Sequence, residues 1–332
     1  MIAFIDDNKG VYTVESICSE LPIAVSTYYA AKSRPPSQRQ IGDETLLPEI
    51  RRVHTENYGV YGRRKIHAQM NREGFEIGRD RCERLMKQAG ITGVVRGKKP
   101  RTTVADEKAE RAPDLVDRAW ETVKAPNRVW VADFTYVRTW AAMVYVAFVI
   151  DVYSRRIVGW RVSTNMKADL VLDALEHAIW VRDTELDGLI CHSDAGAQYT
   201  SIRHTERLAE IGAAPSIGSV GDPIDNAVAE STIGLYKTEL INPKRPWRTV
   251  DQVEFATFEY VDWFNHHRLH ASISNRPPAE HETLFYNQQP TPEPGPNTNV
   301  RALHQTQAGS KLKNARDRRQ VRVVMPRPCR SV

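Results

Sequence analysis

Three acidic residues of this 332-residue chain occupy positions that, taken together, could do chemistry. Asp133 interrupts the apolar run VWVADFTYV. Asp194 follows LICHS, and Glu230 lies in DNAVAEST among alanines that let a helix approach a sheet closely. A charge inside a strand costs several kcal/mol unless it is paired or binds a cation. Asp194 is expected at the carboxyl end of a strand, where open α/β sheets gather ligands. Singly, each acid reads as a structural or solvated charge. Together, on strand, strand end and helix, they form an all-oxygen set suited to magnesium. Two such ions about 4 Å apart activate an attacking oxygen and stabilise a leaving one in phosphoryl transfer. The expected assignment has Asp133 bridging both ions, Asp194 holding one and Glu230 the other, with water or a DNA 3′-hydroxyl as nucleophile.

A sheet must position these acids. From Arg128 the runs NRVWVADFTYV, MVYVAFVIDVYS and RRIVGWRVS read as a three-strand meander. KADLVLDALEHAIWVR carries Leu170, Ala174, Leu175, Ala178 and Ile179 along one side, which predicts a helix. A buried strand GLICHSD, a helix around IRHTERLAEIG, a short strand near AAPSIGS and the long helix DNAVAESTIGLYKTEL follow. VDQVEFATFEYVDWFNHHR then closes the compact region. This order describes an α/β domain over 126–286, a mixed sheet with helices on both faces.

The first third reads as helical. Residues 1–44 hold one candidate helix-turn-helix: ESICSEL meets a break at Pro22, and Ser26 is expected to cap STYYAAKS before Pro35 and Pro36 stop it. Residues 45–95 hold a second, built from LLPEIRRVHTEN, GRRKIHAQMNREG and GRDRCERLMKQAG. Ile66, Met70, Cys82, Leu85, Met86 and Ile91 are its expected core; Arg63, Arg64, Lys65, Arg79, Arg81 and Arg84 are expected on outward faces. An arginine-rich last helix suits a DNA major groove, and a packing domain with a wet basic face is the alternative. Residues 96–125 read as a basic linker, and 287–332 as a Pro-rich stretch followed by a basic tail without regular structure.

Charge is distributed to match. Residues 51–104 carry 14 basic and 5 acidic side chains, 126–285 carry 15 and 21, and 300–332 carry 9 and 1. An acidic centre between basic flanks fits a cation-collecting core with arms that neutralise phosphates. Cys18, Cys82, Cys191 and Cys329 form no CxxC pair, which excludes a zinc ribbon and suggests no disulfide framework; a reducing cytoplasm is expected. No apolar run approaches the roughly 18 residues of a membrane span.

The segments WVADFTYV, FVIDVYSRRIVGW, HSDAGAQYTS and GDPIDNAVAESTIGLYKTEL resemble the core of retroviral-type integrases. Most closely they resemble the second reading-frame protein of insertion-sequence-three family transposases. The 35 residues between Asp194 and Glu230 match the interval of that family's Asp-Asp-Glu signature, and the resemblance runs from about residue 45 to 286. It implies a ribonuclease H-like fold preceded by an all-α helix-turn-helix domain, and dependence on two magnesium or manganese ions. It further implies cleavage at terminal inverted repeats and strand transfer into target DNA, by oligomers working on paired ends in a bacterial, nucleoid-associated setting. Lys237, two turns beyond Glu230 on the same helix face, matches a basic residue the family places against DNA. An upstream reading-frame product is a further partner the family implies. Where the family often has arginine, this chain has Ala195, which predicts reduced activity.

Two other functions fit part of the pattern. A DNA-binding regulator with an inactive core would use the basic helices alone, and a hydrolytic nuclease would lack only the joining step. Among weaker signals, Asp151 ends VAFVID and is expected to cap a turn or pair with Arg155. Asp225 and Asn226 are expected to cap the Glu230 helix. His266, His267 and His270 are expected on a helix surface or facing DNA. Trp247 is expected in packing or, from its loop, at DNA.

Overall fold

A computed structural model describes residues 1–95, 114–115, 122–194, 196, 198–217 and 226–288. Most of the expected linker, nearly all of the expected tail, Ala195 and Asp225 lie outside these.

The expected meander is present as β1 (Val129–Arg138), β2 (Met143–Asp151) and β3 (Ile157–Ser163), all antiparallel. Two short strands, β4 (Ile190–Ser193) and β5 (Ala214–Ile217), add in parallel to the other edge of β1. The sheet order is therefore β3-β2-β1-β4-β5. Both faces of β1 are buried over Val129–Ala132, which explains the apolar start of its sequence. Trp130 and Ala132 pack into one cluster with Leu170, Ala174 and Ala178 of α7 (Ala168–Arg182) and Leu208 of α8 (Ile202–Glu210). Val129 and Val131 pack on the opposite side with α9 (Ala227–Tyr236) and α10 (Val250–His266). Gly159 permits the close approach of α7: a Cβ there would stand 2.2 Å from the Ala174 carbonyl oxygen.

The amino-terminal helices are α1 (Ile2–Asn8), α2 (Val14–Glu20) and α3 (Val25–Ser33), held by a small cluster of Ile5, Ile17, Cys18 and Tyr28. Ser26 lies inside α3, whose N-cap is Ala24, so the expected serine cap is corrected. The next helix, α4 (Gln38–Glu56), starts ahead of the boundary expected at 45, because Ser37 and Gln40 form a reciprocal capping box. It packs with α5 (Arg63–Arg72) and α6 (Arg79–Ala89) around the expected core of Ile66, Met70, Cys82, Leu85 and Met86.

This three-helix bundle does not stand apart from the sheet domain; the two share one apolar cluster. The Trp263 indole of α10 donates to Asn57 Oδ1 at 3.2 Å, and the Leu269 amide donates to the Tyr61 hydroxyl at 2.7 Å. Beneath that contact is a buried ion pair. After α9 the chain widens into a π-helical turn, Lys237–Ile241, whose Glu239 accepts from Arg268 at 2.6 and 2.8 Å and from the Tyr260 hydroxyl at 3.0 Å.

Lys65 belongs to this interface, which corrects its expected outward position. It lies over the Tyr61 ring at 4.9 Å, and burial together with the Arg268 charge lowers its pKa to about 7. The folded protein therefore binds fewer protons than the unfolded chain between about 7 and the ordinary 10.5. Stability contributed at this site rises with pH across that window, and below pH 7 the burial penalty is fully present. Lys65→Met is expected to raise stability at pH 7 by ~1–2 kcal/mol, the ring contact offsetting part of the gain. Urea unfolding at pH 7 and pH 10 checks this; the advantage must shrink at the higher pH.

Asp151, fully buried, caps its turn as expected, accepting from the Ser154 amide and hydroxyl at 2.8 and 2.9 Å and from the Asn127 amide at 2.7 Å. Its ion-pair partner is Arg182 at 3.6 Å rather than Arg155. Arg182 also meets Glu282 of α11 (Pro278–Gln288), tying that helix to the sheet. His270 is buried against the Phe264 ring, so only His266 and His267 of the three histidines are at the surface.

Candidate active site

Strand alternation continues from Val129 and Val131 to Asp133, which places Asp133 on the side of the sheet that α9 covers. Ala132 lies opposite Ser193 in the parallel β1–β4 pairing, so one further step sets Asp133 beside Asp194. Both carboxylates act on a shared neighbour. The Tyr199 ring is buried against Phe134, and burial, then Asp133, then Asp194 hold its phenol protonated well above the usual range. Asp194 is exposed by surface area, yet its carboxyl is crowded enough that desolvation pushes it above the ordinary carboxylate range. The Gly196 amide, donating at 3.2 Å, opposes that shift.

Helix α9 is held at the same place by Asn226. This residue occupies the N-cap position without a capping hydrogen bond from its side chain, which corrects the expected role. Its Nδ2 instead donates to the Ala132 carbonyl at 3.2 Å, one residue before Asp133. Glu230 follows in the first turn of α9, where the helix dipole favours an anion, and its side chain is exposed. Ala229 and Val228 beside it are buried against the sheet, the close approach that small residues allow.

The structure thus ends the β1–β4 pairing one residue before Asp133 and Asp194, both of which act on Tyr199, and ties the start of the Glu230 helix to Ala132. It does not close the three into a cluster: among the described residues, no group of three His, Cys, Asp or Glu side chains could hold a metal ion. The donor chemistry nevertheless fits a hard divalent cation, being entirely oxygen. Asn226 Oδ1 and the Tyr199 hydroxyl are buried with no hydrogen-bond partner among the described residues, and such orphaned oxygens next to carboxylates suit a cation or its water shell. Sequence reasoning missed Tyr199 altogether, although its position five residues after Asp194 was a signal.

The basic residues divide into two sets. Arg63, Arg64 and Arg79 are exposed and line one open cleft with His67 and Asn275; Arg63 also pairs with Glu83. Arg81 and Arg84 are half-buried and both bound to Asp43, at 2.8 and 2.6 Å, so they hold α6 to α4 as well as adding charge. Lys237, on the first position of the π-helical turn, lies over the Tyr136 ring at 4.7 Å. Trp247 is buried and donates to the Ile241 carbonyl at 2.9 Å, the packing role of the two expected for it.

Comparison with known proteins agrees with this layout. Two models described as "Integrase core domain" match residues 123–223 and 211–278, and one described as "HTH-like domain" matches 42–99. The chain is 53% identical over 279 residues to the putative transposase for insertion sequence element IS986/IS6110 of Mycobacterium tuberculosis (strain ATCC 25177 / H37Ra). That alignment covers 83% of this chain and all of the relative. It is 46% identical over 291 residues to the transposase for insertion sequence element IS629 of Shigella sonnei, covering 86% and 97%. Among solved structures, the HTLV-2 integrase catalytic core domain in complex with magnesium aligns with 48% of this chain and 97% of its own, at 16% identity and a TM-score of 0.38.

Proposed function

Because this chain belongs to the insertion-sequence transposases of the insertion-sequence-three type, an HTH-like domain ahead of an integrase core, we propose that Asp133, Asp194 and Glu230 are its catalytic carboxylates. The family carries out DNA transposition, and the integrase core is a polynucleotidyl transferase domain. The observation that supports the residue assignment is the parallel register that pairs Ala132 with Ser193, one residue before Asp133 and Asp194, with Asn226 tying the start of the Glu230 helix to Ala132.

In this reading the three carboxylates would hold two magnesium or manganese ions. When bound, the ions neutralise charge on the scissile phosphate and polarise the attacking hydroxyl. Asp133 is fixed by its strand, and the Phe134 amide donates to its Oδ1 at 2.7 Å, so its orientation is set by backbone rather than by a flexible chain. Glu230, exposed in the first turn of α9, would complete the set. Tyr199, kept protonated beside them, is a donor at the wall of the site. Arg63, Arg64 and Arg79, with Lys237 nearer the carboxylates, engage phosphates of the element's terminal inverted repeats and of target DNA; Arg81 and Arg84 contribute charge from fixed positions. Homo-oligomers working on paired ends, with the upstream reading-frame product as an added partner, complete the proposal, located in the bacterial cytoplasm at the nucleoid. Among the described residues no helix is long and apolar enough to cross a membrane.

The test uses purified protein, labelled element ends, a target duplex and magnesium, comparing wild type with Glu230→Gln. Cleavage and joining are expected to drop by roughly 10²-fold or more in the variant while end binding persists. Undiminished cleavage would remove Glu230 from the site; cleavage without joining by the wild type would favour the nuclease.

A further inference from the structure

Beyond Asp133, β1 continues past the last residue that β4 covers, and its far end presents two large aromatic side chains to solvent. Tyr136 is 56% exposed and Trp140, just after the strand, is 69% exposed. Each has a cation over its ring: Lys237 Nζ lies 4.7 Å from the Tyr136 centroid and Arg248 Cζ 5.3 Å from that of Trp140. These cations come from the segment following α9, so two separate stretches of chain converge on one ridge.

The ridge is built rather than incidental. Tyr136 lies opposite Tyr145 in the β1–β2 ladder. The Trp140 amide donates to the Trp247 carbonyl at 3.0 Å and the Ala141 amide to the Arg248 carbonyl at 3.2 Å. Trp247 itself is buried and anchored to Ile241, so the backbone carrying Arg248 is held against the hairpin tip. Exposed tryptophan fixed on such a frame loses little conformational entropy when something stacks on it.

Aromatic faces interleaved with cations are the means by which proteins hold unpaired nucleic acid, the rings taking the bases and the cations the backbone. Tyr136 stands three residues past Asp133, about 10 Å along the strand and on its opposite face, and Trp140 follows just beyond the strand's end, together a span of several nucleotides. We propose that Tyr136 and Trp140, with Lys237 and Arg248, form a stacking platform for unpaired nucleotides of the DNA strand that enters or leaves the carboxylate site. The proposal rests on the reading that this site processes DNA, and assigns to the ridge the holding of any unpaired strand there.

The test is binding without chemistry. Full-length protein in metal-free buffer is titrated against fluorescein-labelled oligothymidylate and, separately, a blunt mixed-sequence duplex, read by anisotropy. Trp140→Ala and Tyr136→Ala are each expected to weaken single-strand binding about tenfold and duplex binding less than about twofold, while Trp140→Phe and Tyr136→Phe recover most of the loss. Equal losses on both DNA forms, or no loss, overturn the proposal. A changed sedimentation coefficient with unchanged single-strand affinity also overturns it, assigning the ridge to protein contact. Should an alanine variant fail to fold, hydroxyl-radical footprinting of the wild type decides: oligothymidylate must protect Trp140 and Tyr136, and unprotected rings sink the platform. Glu230→Gln is expected to bind oligothymidylate normally, so failure of the carboxylate assignment and failure of the platform give different results.

Discussion

Asp133→Asn is expected to abolish strand cleavage and transfer, a loss of roughly 10³-fold in magnesium, while DNA-end affinity changes less than about threefold. Asparagine keeps the size of the side chain and an acceptor oxygen but removes the negative charge. Asp133 is half-buried within β1, so the sheet fixes the position that the charge occupies. Removal of divalent ions from the wild type with a chelator is expected to give an equal loss, and chelation of the variant to add nothing. Quantitative gel assays of end cleavage, with duplex affinity measured in parallel, read both. Activity within tenfold of wild type would eliminate Asp133 as a catalytic group.

Arg268→Ala carries the largest expected effect on stability, a loss of ~3–5 kcal/mol, because it leaves the buried Glu239 carboxylate without its partner. Arg268 and Glu239 are almost fully buried and joined by two hydrogen bonds, and the Tyr260 hydroxyl donates to the same carboxylate. Removing both charges together in Arg268→Met with Glu239→Leu is expected to recover most of the loss, since the uncompensated charge is then gone. Urea unfolding followed by circular dichroism measures both variants. A single-variant loss below about 1 kcal/mol would show that water reaches this interface. Because Glu239 follows directly from α9, the same pair fixes the far end of the helix that bears Glu230.

Local pattern was enough for much of the fold. The alternation and β-branched content of VWVADFTYV and MVYVAFVID specify strands whatever packs on them, and the apolar side of α7 follows from its own spacing. The element order of the α/β domain was legible for the same reason. What local pattern misjudged were features that depend on a partner distant in sequence. Ser26 is a good capping residue in isolation, but the chain begins α3 at Val25. Lys65 stands in a basic run that looks solvent-facing, and it turns inward because Tyr61 and the segment around Arg268 cover that side of α5. Arg81 and Arg84 lie within the expected outward set, yet Asp43, 38 and 41 residues away, claims both.

By itself the sequence determined the identities and chain positions of the three acids, the elements that carry them and the basic character of the flanks, because these depend on residue type and on periodicities of a few residues. Only the tertiary structure decided that Ala132 pairs with Ser193, one residue before the two aspartates, that Asn226 ties helix to strand rather than capping, that the helical bundle shares a core with the sheet domain, and that Tyr136 and Trp140 meet cations from another segment. The reason is physical: strand register, helix docking and ion pairing between remote residues are set by which surfaces bury each other, and that is a property of the whole chain.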